Sequence, residues 1–173
     1  MKSLLVTGGT GHLGPVVLAR FSRQYNCITL GRNETPKVDK IFGVLHLAGG
    51  FTMGSSLDDF SKMLDASLLS AVRAIEPVRE KIEDGGRIIA MSSVASLTTP
   101  KGMAAYVAAK AALNAYIEVL AKELAQRKIT ANALLPFLLG PDGVPYERVA
   151  ETIGFLLSDT GASITGQLIA MTL

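Results

Sequence analysis

Short, mostly apolar runs, the first three of them ending in glycine, alternate with amphipathic stretches along this chain, and that alternation restricts the fold more than any other feature. The runs are 3–7, 27–30, 43–47, 87–91, 129–135 and 167–172, and each reads as a strand. Between them, 15–24, 58–83, 104–127 and 146–158 carry apolar residues at helical spacing, while 33–40 and 92–103 read as loops. In the long stretch, Phe60, Met63, Leu64, Leu68, Leu69, Val72, Ile75 and Val78 repeat at mixed three and four spacing up to Gly85 and Gly86, which predicts one continuous helix. Strands this apolar must be covered on both faces, which strand–helix alternation achieves by making a parallel sheet with helices on each side. The expectation is an α/β, doubly wound, three-layer Rossmann domain of about six strands, with residues 1–173 as a single unit.

Composition narrows the function classes. At 49% hydrophobic and 18% charged over 173 residues, the chain is not an intrinsically disordered one. The net charge is 17 − 15 = +2, with 6 Lys/Arg against 2 Asp/Glu in residues 1–40 and 11 against 13 afterwards. That excess is too scattered for a nucleic-acid footprint but suits a small anionic ligand. Every apolar stretch is interrupted before the ~20 residues a bilayer demands, so no membrane association is expected. Cys27 is the only cysteine, which excludes an internal disulfide; it reads as a buried, inert thiol and suits the cytoplasm. His12 and His46 lack carboxylate or cysteine companions at ligand spacing, so no metal site is expected, and both read as lining a ligand groove.

Thr7-Gly8-Gly9-Thr10-Gly11-His12-Leu13-Gly14 joins the first strand to the first helix. Glycines let backbone approach a phosphate closely there, and the helix N-terminus supplies free N–H groups and a positive dipole. Gly8, Thr10, Gly11, His12, Leu13 and Gly14 are thus candidate ligands of a dinucleotide pyrophosphate. The second strand runs into Gly31, Arg32 and Asn33 with no carboxylate at its end. A guanidinium at that place accommodates a ribose 2′-phosphate, so Arg32 points to NADP(H) in preference to NAD(H).

A second constellation comprises Ser93, just past a strand, with Tyr106 and Lys110 four apart on one helix. Residues four apart share a helix face, so an ammonium can stand beside the phenol. A nearby cation favours phenolate and makes a tyrosine usable as a general acid or base. Ser93 could donate to the same substrate oxygen as negative charge develops on it.

With these motifs in order, the chain resembles a short-chain dehydrogenase/reductase along nearly its whole length. Thr7, Gly8, Gly11 and Gly14 are similar to the glycine motif of the family's extended branch, and His46-Leu47-Ala48-Gly49 resembles its Asn-Asn-Ala-Gly strand end. Ser93 stands thirteen residues before Tyr106, and Tyr106-Val107-Ala108-Ala109-Lys110 matches the Tyr-x-x-x-Lys motif. The resemblance implies that Tyr106 is the proton donor, that Ser93 orients the carbonyl, and that Lys110 supports the tyrosine and holds the nicotinamide ribose. It further implies cofactor contacts at Ala48, Gly49, Pro136 and Leu139, a small carbonyl or alcohol substrate, and a homodimer or homotetramer. Ser67 stands where the family has the asparagine of a proton relay, and is carried into the catalytic set on that ground. Phe137 replaces the glycine after Pro136, Pro141 stands about where a nicotinamide-binding threonine is usual, and the substrate lid is short. Those departures keep a second expectation open, a non-catalytic NADPH-binding sensor on the same fold. The small residues Ala104, Ala105, Ala108, Ala109, Ala112 and Ala115 give the Tyr–Lys helix a surface suited to close packing, expected at a subunit interface.

Overall fold

The structure, a computed structural model, describes residues 1–32 and 34–172; Asn33 of the expected cofactor strand end lies outside the described residues. Six strands form one sheet: β1 (Lys2–Thr7), β2 (Tyr25–Leu30), β3 (Ile41–His46), β4 (Ile82–Met91), β5 (Thr130–Pro136) and β6 (Leu168–Met171). Their order is β2-β1-β3-β4-β5-β6, and every pair is parallel. Side chains alternate between the faces of a strand, and the core divides accordingly. Leu5, Val44 and Ile88 face one helical layer with Ile75, Leu113 and Ile117. Their neighbours Leu4, Leu45 and Ile89 face the other, with Val17, Phe21, Val149 and Ile153. The expected three-layer α/β/α architecture is thereby formed. Each fully buried aliphatic side chain here contributes about 1.5–3 kcal/mol of transfer free energy.

Helices α1 (Leu13–Phe21) and α6 (Tyr146–Leu157) cover one face, and α2 (Leu57–Leu64), α3 (Ser70–Ile75) and α5 (Ala104–Glu123) the other. A further turn, α4 (Ala95–Thr98), lies inside the stretch expected to be loop. The continuous helix expected over 58–83 is not formed. After α2, which opens with a capping box between Ser56 and Asp59, the chain widens into a π turn at Asp65–Leu69. It then tightens into a 3₁₀ turn at Glu76–Lys81, where Pro77 lacks an N–H and crowds the preceding turn. By Ile82 the backbone is already strand, so Gly85 and Gly86 lie within β4 rather than ending a helix. Gly85, at φ +76, sits near where the β3–β4 register shifts.

Chain reversal sets the place of the site. From β1 the chain passes through α1 to β2 on one side, then crosses back to β3 on the other. The connections that leave the carboxyl ends of the paired strands β1 and β3 therefore run to opposite sides and open a crevice, the usual ligand position in an open α/β sheet.

Candidate functional site

At this crevice the two strand ends lie in close contact. Gly8 has φ +71, and a Cβ there would stand 2.6 Å from the Ala48 amide nitrogen. Only glycine satisfies both demands. Gly11 N–H closes the loop on the Gly8 carbonyl at 3.1 Å. Gly14 serves packing instead: its Cβ would meet the Gly9 carbonyl at 2.4 Å, which lets α1 seat directly on the loop. No side chain caps the start of α1 at His12, so its leading N–H groups are available to an anion. The loop thus fits a dinucleotide pyrophosphate.

Behind the loop, Thr7 and His46 lock β1 to β3. Ala48 N–H donates to Thr7 Oγ1 at 3.3 Å, and Thr7 Oγ1 lies 2.9 Å from His46 Nδ1. Ser70 Oγ, which donates to the Ala66 carbonyl at 2.7 Å, is 3.3 Å from His46 Nε2. With the Ser70 proton committed to Ala66, His46 is best satisfied as the neutral Nε2–H tautomer, Nδ1 accepting from Thr7. Burial pushes the His46 pKa down to about 3, with the Lys110 charge adding to the effect and a hydrogen bond to the Ser67 backbone opposing it. Contrary to expectation, His46 is wholly buried and lines no groove, whereas His12 does.

Ser93, Tyr106 and Lys110 converge on one cleft of about 760 Å³. Ser93 follows β4, the strand between β3 and β5, and its Oγ accepts from Ala95 N–H at 3.2 Å, fixing the start of α4. Tyr106 and Lys110 share a face of α5, with Nζ 5.9 Å from the phenol ring centre. Lys110 Nζ donates to the Met91 carbonyl at 3.0 Å and lies so close to Gly49 that a Cβ there would be 3.3 Å away. Desolvation pushes the Lys110 pKa down to about 8, which still leaves an ammonium at neutral pH.

The same cleft is lined by Gly8, Gly11, His12, Leu13, Ala48, Gly49, Pro136 and Leu139. Four other sequence candidates are set apart from it. Thr10 is exposed, and Gly14 is buried under the loop. Ser67 is fully buried inside the π turn, its hydroxyl without a hydrogen-bond partner among the described residues, and it does not line the cleft. Arg32 is exposed at the end of β2 and lines no part of the cleft. A carboxylate does stand at that strand end, contrary to the sequence reading: Glu34 folds back so that Oε2 accepts from the Gly31 N–H at 2.8 Å.

Three aromatic liners escaped the sequence reading as site residues. Phe51 packs edge-on against Tyr106, ring centres 5.0 Å apart. Tyr146, at the start of α6, stacks on His12 with centres 6.3 Å apart. Phe137, which replaces the glycine after Pro136, lines the cleft too. Phe51 and Phe137 lie in loops, where a lone aromatic carries no periodic signal. Cys27 is only half-buried on the edge strand β2, with its thiol pKa raised by burial. The alanine surface also divides: Ala105 and Ala109 are buried against Met63, Ala112 is half-buried, and Ala104, Ala108 and Ala115 face outward.

A family model described as Enoyl-(Acyl carrier protein) reductase matches residues 35–144. A 3-oxoacyl-[acyl-carrier-protein] reductase of Synechocystis sp. is 34% identical over 133 residues, covering 64% of this chain and 53% of that protein. An NADPH-dependent aldehyde reductase-like chloroplastic protein of Arabidopsis thaliana is 31% identical over 139 residues, 66% of this chain and 52% of its own length. The chain thus spans about half the length of these curated relatives. Among solved structures, a short chain dehydrogenase family protein of Francisella tularensis superposes with a TM-score of 0.87 at 21% identity, covering 99% of this chain and 97% of that one. A short chain dehydrogenase of Burkholderia cenocepacia, solved with NADP, gives 0.85 at 22% identity, covering 98% and 96%. At these identities the structural likeness speaks for the fold.

Proposed function

Because the chain belongs to the short-chain dehydrogenase/reductase family, we propose that it is an NADP(H)-dependent oxidoreductase that interconverts a small carbonyl compound and its alcohol. The observation that carries this reading is the arrival of Ser93, Tyr106 and Lys110 at the wall of one cleft with the Gly8–Gly11 loop. A nicotinamide dinucleotide bound along that loop would supply the hydride. Gly8, Gly11, Leu13 and the open start of α1 would hold its diphosphate, with Ala48, Gly49, Pro136 and Leu139 along its length. Ser93 Oγ donates to the substrate oxygen, and Tyr106 delivers the proton to it. The Lys110 ammonium stabilises the charge left on the phenol oxygen. Ser67, buried in the π turn and absent from the cleft wall, is left out of the proposed set.

For the adenosine end we assign Arg32 to a 2′-phosphate, in line with the NADP-bound structural neighbours; the Glu34 carboxylate beside Gly31 opposes that preference. We extend the proposal to a homodimer or homotetramer packed through the outward alanine face of α5, and to the cytoplasm. Among the described residues no helix is long and apolar enough to cross a membrane. The test is Tyr106→Phe, which removes the transferable proton and keeps the ring. Carbonyl reduction should disappear while NADPH titrates as in the wild type. Undiminished turnover would remove Tyr106 from the reaction, and NADPH binding without any carbonyl turnover in the wild type would favour a sensor.

A further inference from the structure

We propose that the site takes a neutral, apolar carbonyl compound, an aryl or alkyl aldehyde or ketone, whose non-polar body packs against Phe51 and Phe137. This rests on the oxidoreductase reading above and names its substrate class.

Exposed apolar side chains gathered at one place mark a binding surface, and three stand at this cleft: Phe51 is 58% exposed, Phe137 72% and Leu138 50%. The topology brings them to flanking positions. Phe51 follows β3 and Phe137 follows β5, while Ser93 follows β4, the strand between them. The polar reaction groups are therefore bracketed by apolar rings from both neighbouring strands. Phe51 is tied to the reaction centre by its edge-on contact with Tyr106 at 5.0 Å. Its loop is held in turn: Gly54 N–H donates to the Gly102 carbonyl and Ala105 N–H to the Gly54 carbonyl, fastening it to the start of α5. Phe137 is anchored through its own N–H, which donates to the Met171 carbonyl at 3.0 Å.

The chemistry of the remaining wall points the same way. Among the described residues, no aspartate, glutamate or arginine lines the cleft, and its one lysine, Lys110, is buried and engaged with the Met91 carbonyl. A substrate carboxylate would find no exposed cation beside the reaction centre, and although Thr98, Tyr146 and His12 also line the cleft, a sugar would leave hydroxyls against Phe51, Phe137 and Leu138. A neutral apolar body removes that surface from water and loses no hydrogen bonds.

The full chain is assayed with NADPH on acetophenone, pyruvate and xylose, and ligand-observed NMR with NADP⁺ present reports binding independently of turnover. Acetophenone should give the highest kcat/KM, by about tenfold or more, and should alone receive saturation transfer. Phe51→Ala and Phe137→Ala should each raise its KM about tenfold with kcat little changed, as expected when binding common to ground and transition states is removed. Both positions are exposed, so thermal unfolding should stay near that of the wild type, and the Leu variants should restore part of the affinity. Faster reduction of pyruvate or xylose, or an unchanged KM in both alanine variants, overturns the substrate class and leaves the oxidoreductase reading standing. Self-association that changes in the alanine variants while KM does not would assign the two rings to a subunit contact and also overturn it. Failure of all three carbonyls to be reduced overturns the oxidoreductase reading and this inference with it.

Discussion

Replacing His46 with glutamine should flatten the acid limb of the stability curve. His46 has no exposed surface, and burial first, then the Lys110 charge, hold its pKa at about 3 against the ordinary 6.5. The unfolded chain therefore takes up a proton below pH 6.5 that the folded chain refuses until about 3. Stability from this group is complete above 6.5 and is lost as the pH falls towards 3. The gap between the two values, at ~1.4 kcal/mol per pH unit, is on the order of 5 kcal/mol in total and about 3 kcal/mol by pH ~4.5. Carboxylates contribute to acid unfolding too, among them Asp59, whose pKa is lowered by its hydrogen bonds from Ser56. They are common to wild type and variant, so the difference isolates His46. Glutamine keeps a donor and an acceptor for Thr7 and Ser70 but cannot titrate. Urea unfolding followed by circular dichroism at pH ~7.5, ~5.5 and ~4.5 should show the wild type losing about 3 kcal/mol more than His46→Gln between the extremes. Curves that run parallel over that range would refute the argument, because they would mean that His46 is solvated or already charged in the folded chain.

Other expectations concern the site. Gly8→Ala places a Cβ 2.6 Å from the Ala48 nitrogen at a positive φ, so the strand ends must part; calorimetry should show NADPH affinity falling by tenfold or more, of order 1.4 kcal/mol. Glu34→Gln removes a carboxylate from the strand end that Arg32 also borders, so NADPH binding should strengthen about two- to fivefold while NADH changes little, and weaker NADPH binding would remove Glu34 from cofactor discrimination. Lys110 loses its proton as the pH rises through about 8; the rate of carbonyl reduction should fall on an alkaline limb near that value, and a flat profile to pH ~9.5 would mean that the ammonium is dispensable.

Much of this molecule follows from local rules that act within a few residues. Both neighbours in Leu4-Leu5, Val44-Leu45 and Ile88-Ile89 are apolar, which requires helices on both sides of the sheet. Gly8 and Gly11 mark a backbone that must admit a phosphate, and the four-residue spacing of Tyr106 and Lys110 places both on one helix face whatever surrounds it. Contacts between distant segments decided the rest. Pro77 marks a break in the long helix, yet nothing in the heptad-like spacing of residues 60–78 foretells the π turn that seals the Ser67 hydroxyl away from the cleft. His46 reads as a groove residue until Thr7, 39 positions earlier, and Ser70, 24 later, enclose it and strip its water. Glu34 reaches the end of β2 only because its loop turns back onto Gly31. Phe51 meets Tyr106 only because β3 ends and α5 begins at the same edge of the sheet. Periodicity reports which face a residue takes on its own element, whereas burial, protonation and loop packing depend on what other elements bring to that face, which only the assembled fold defines.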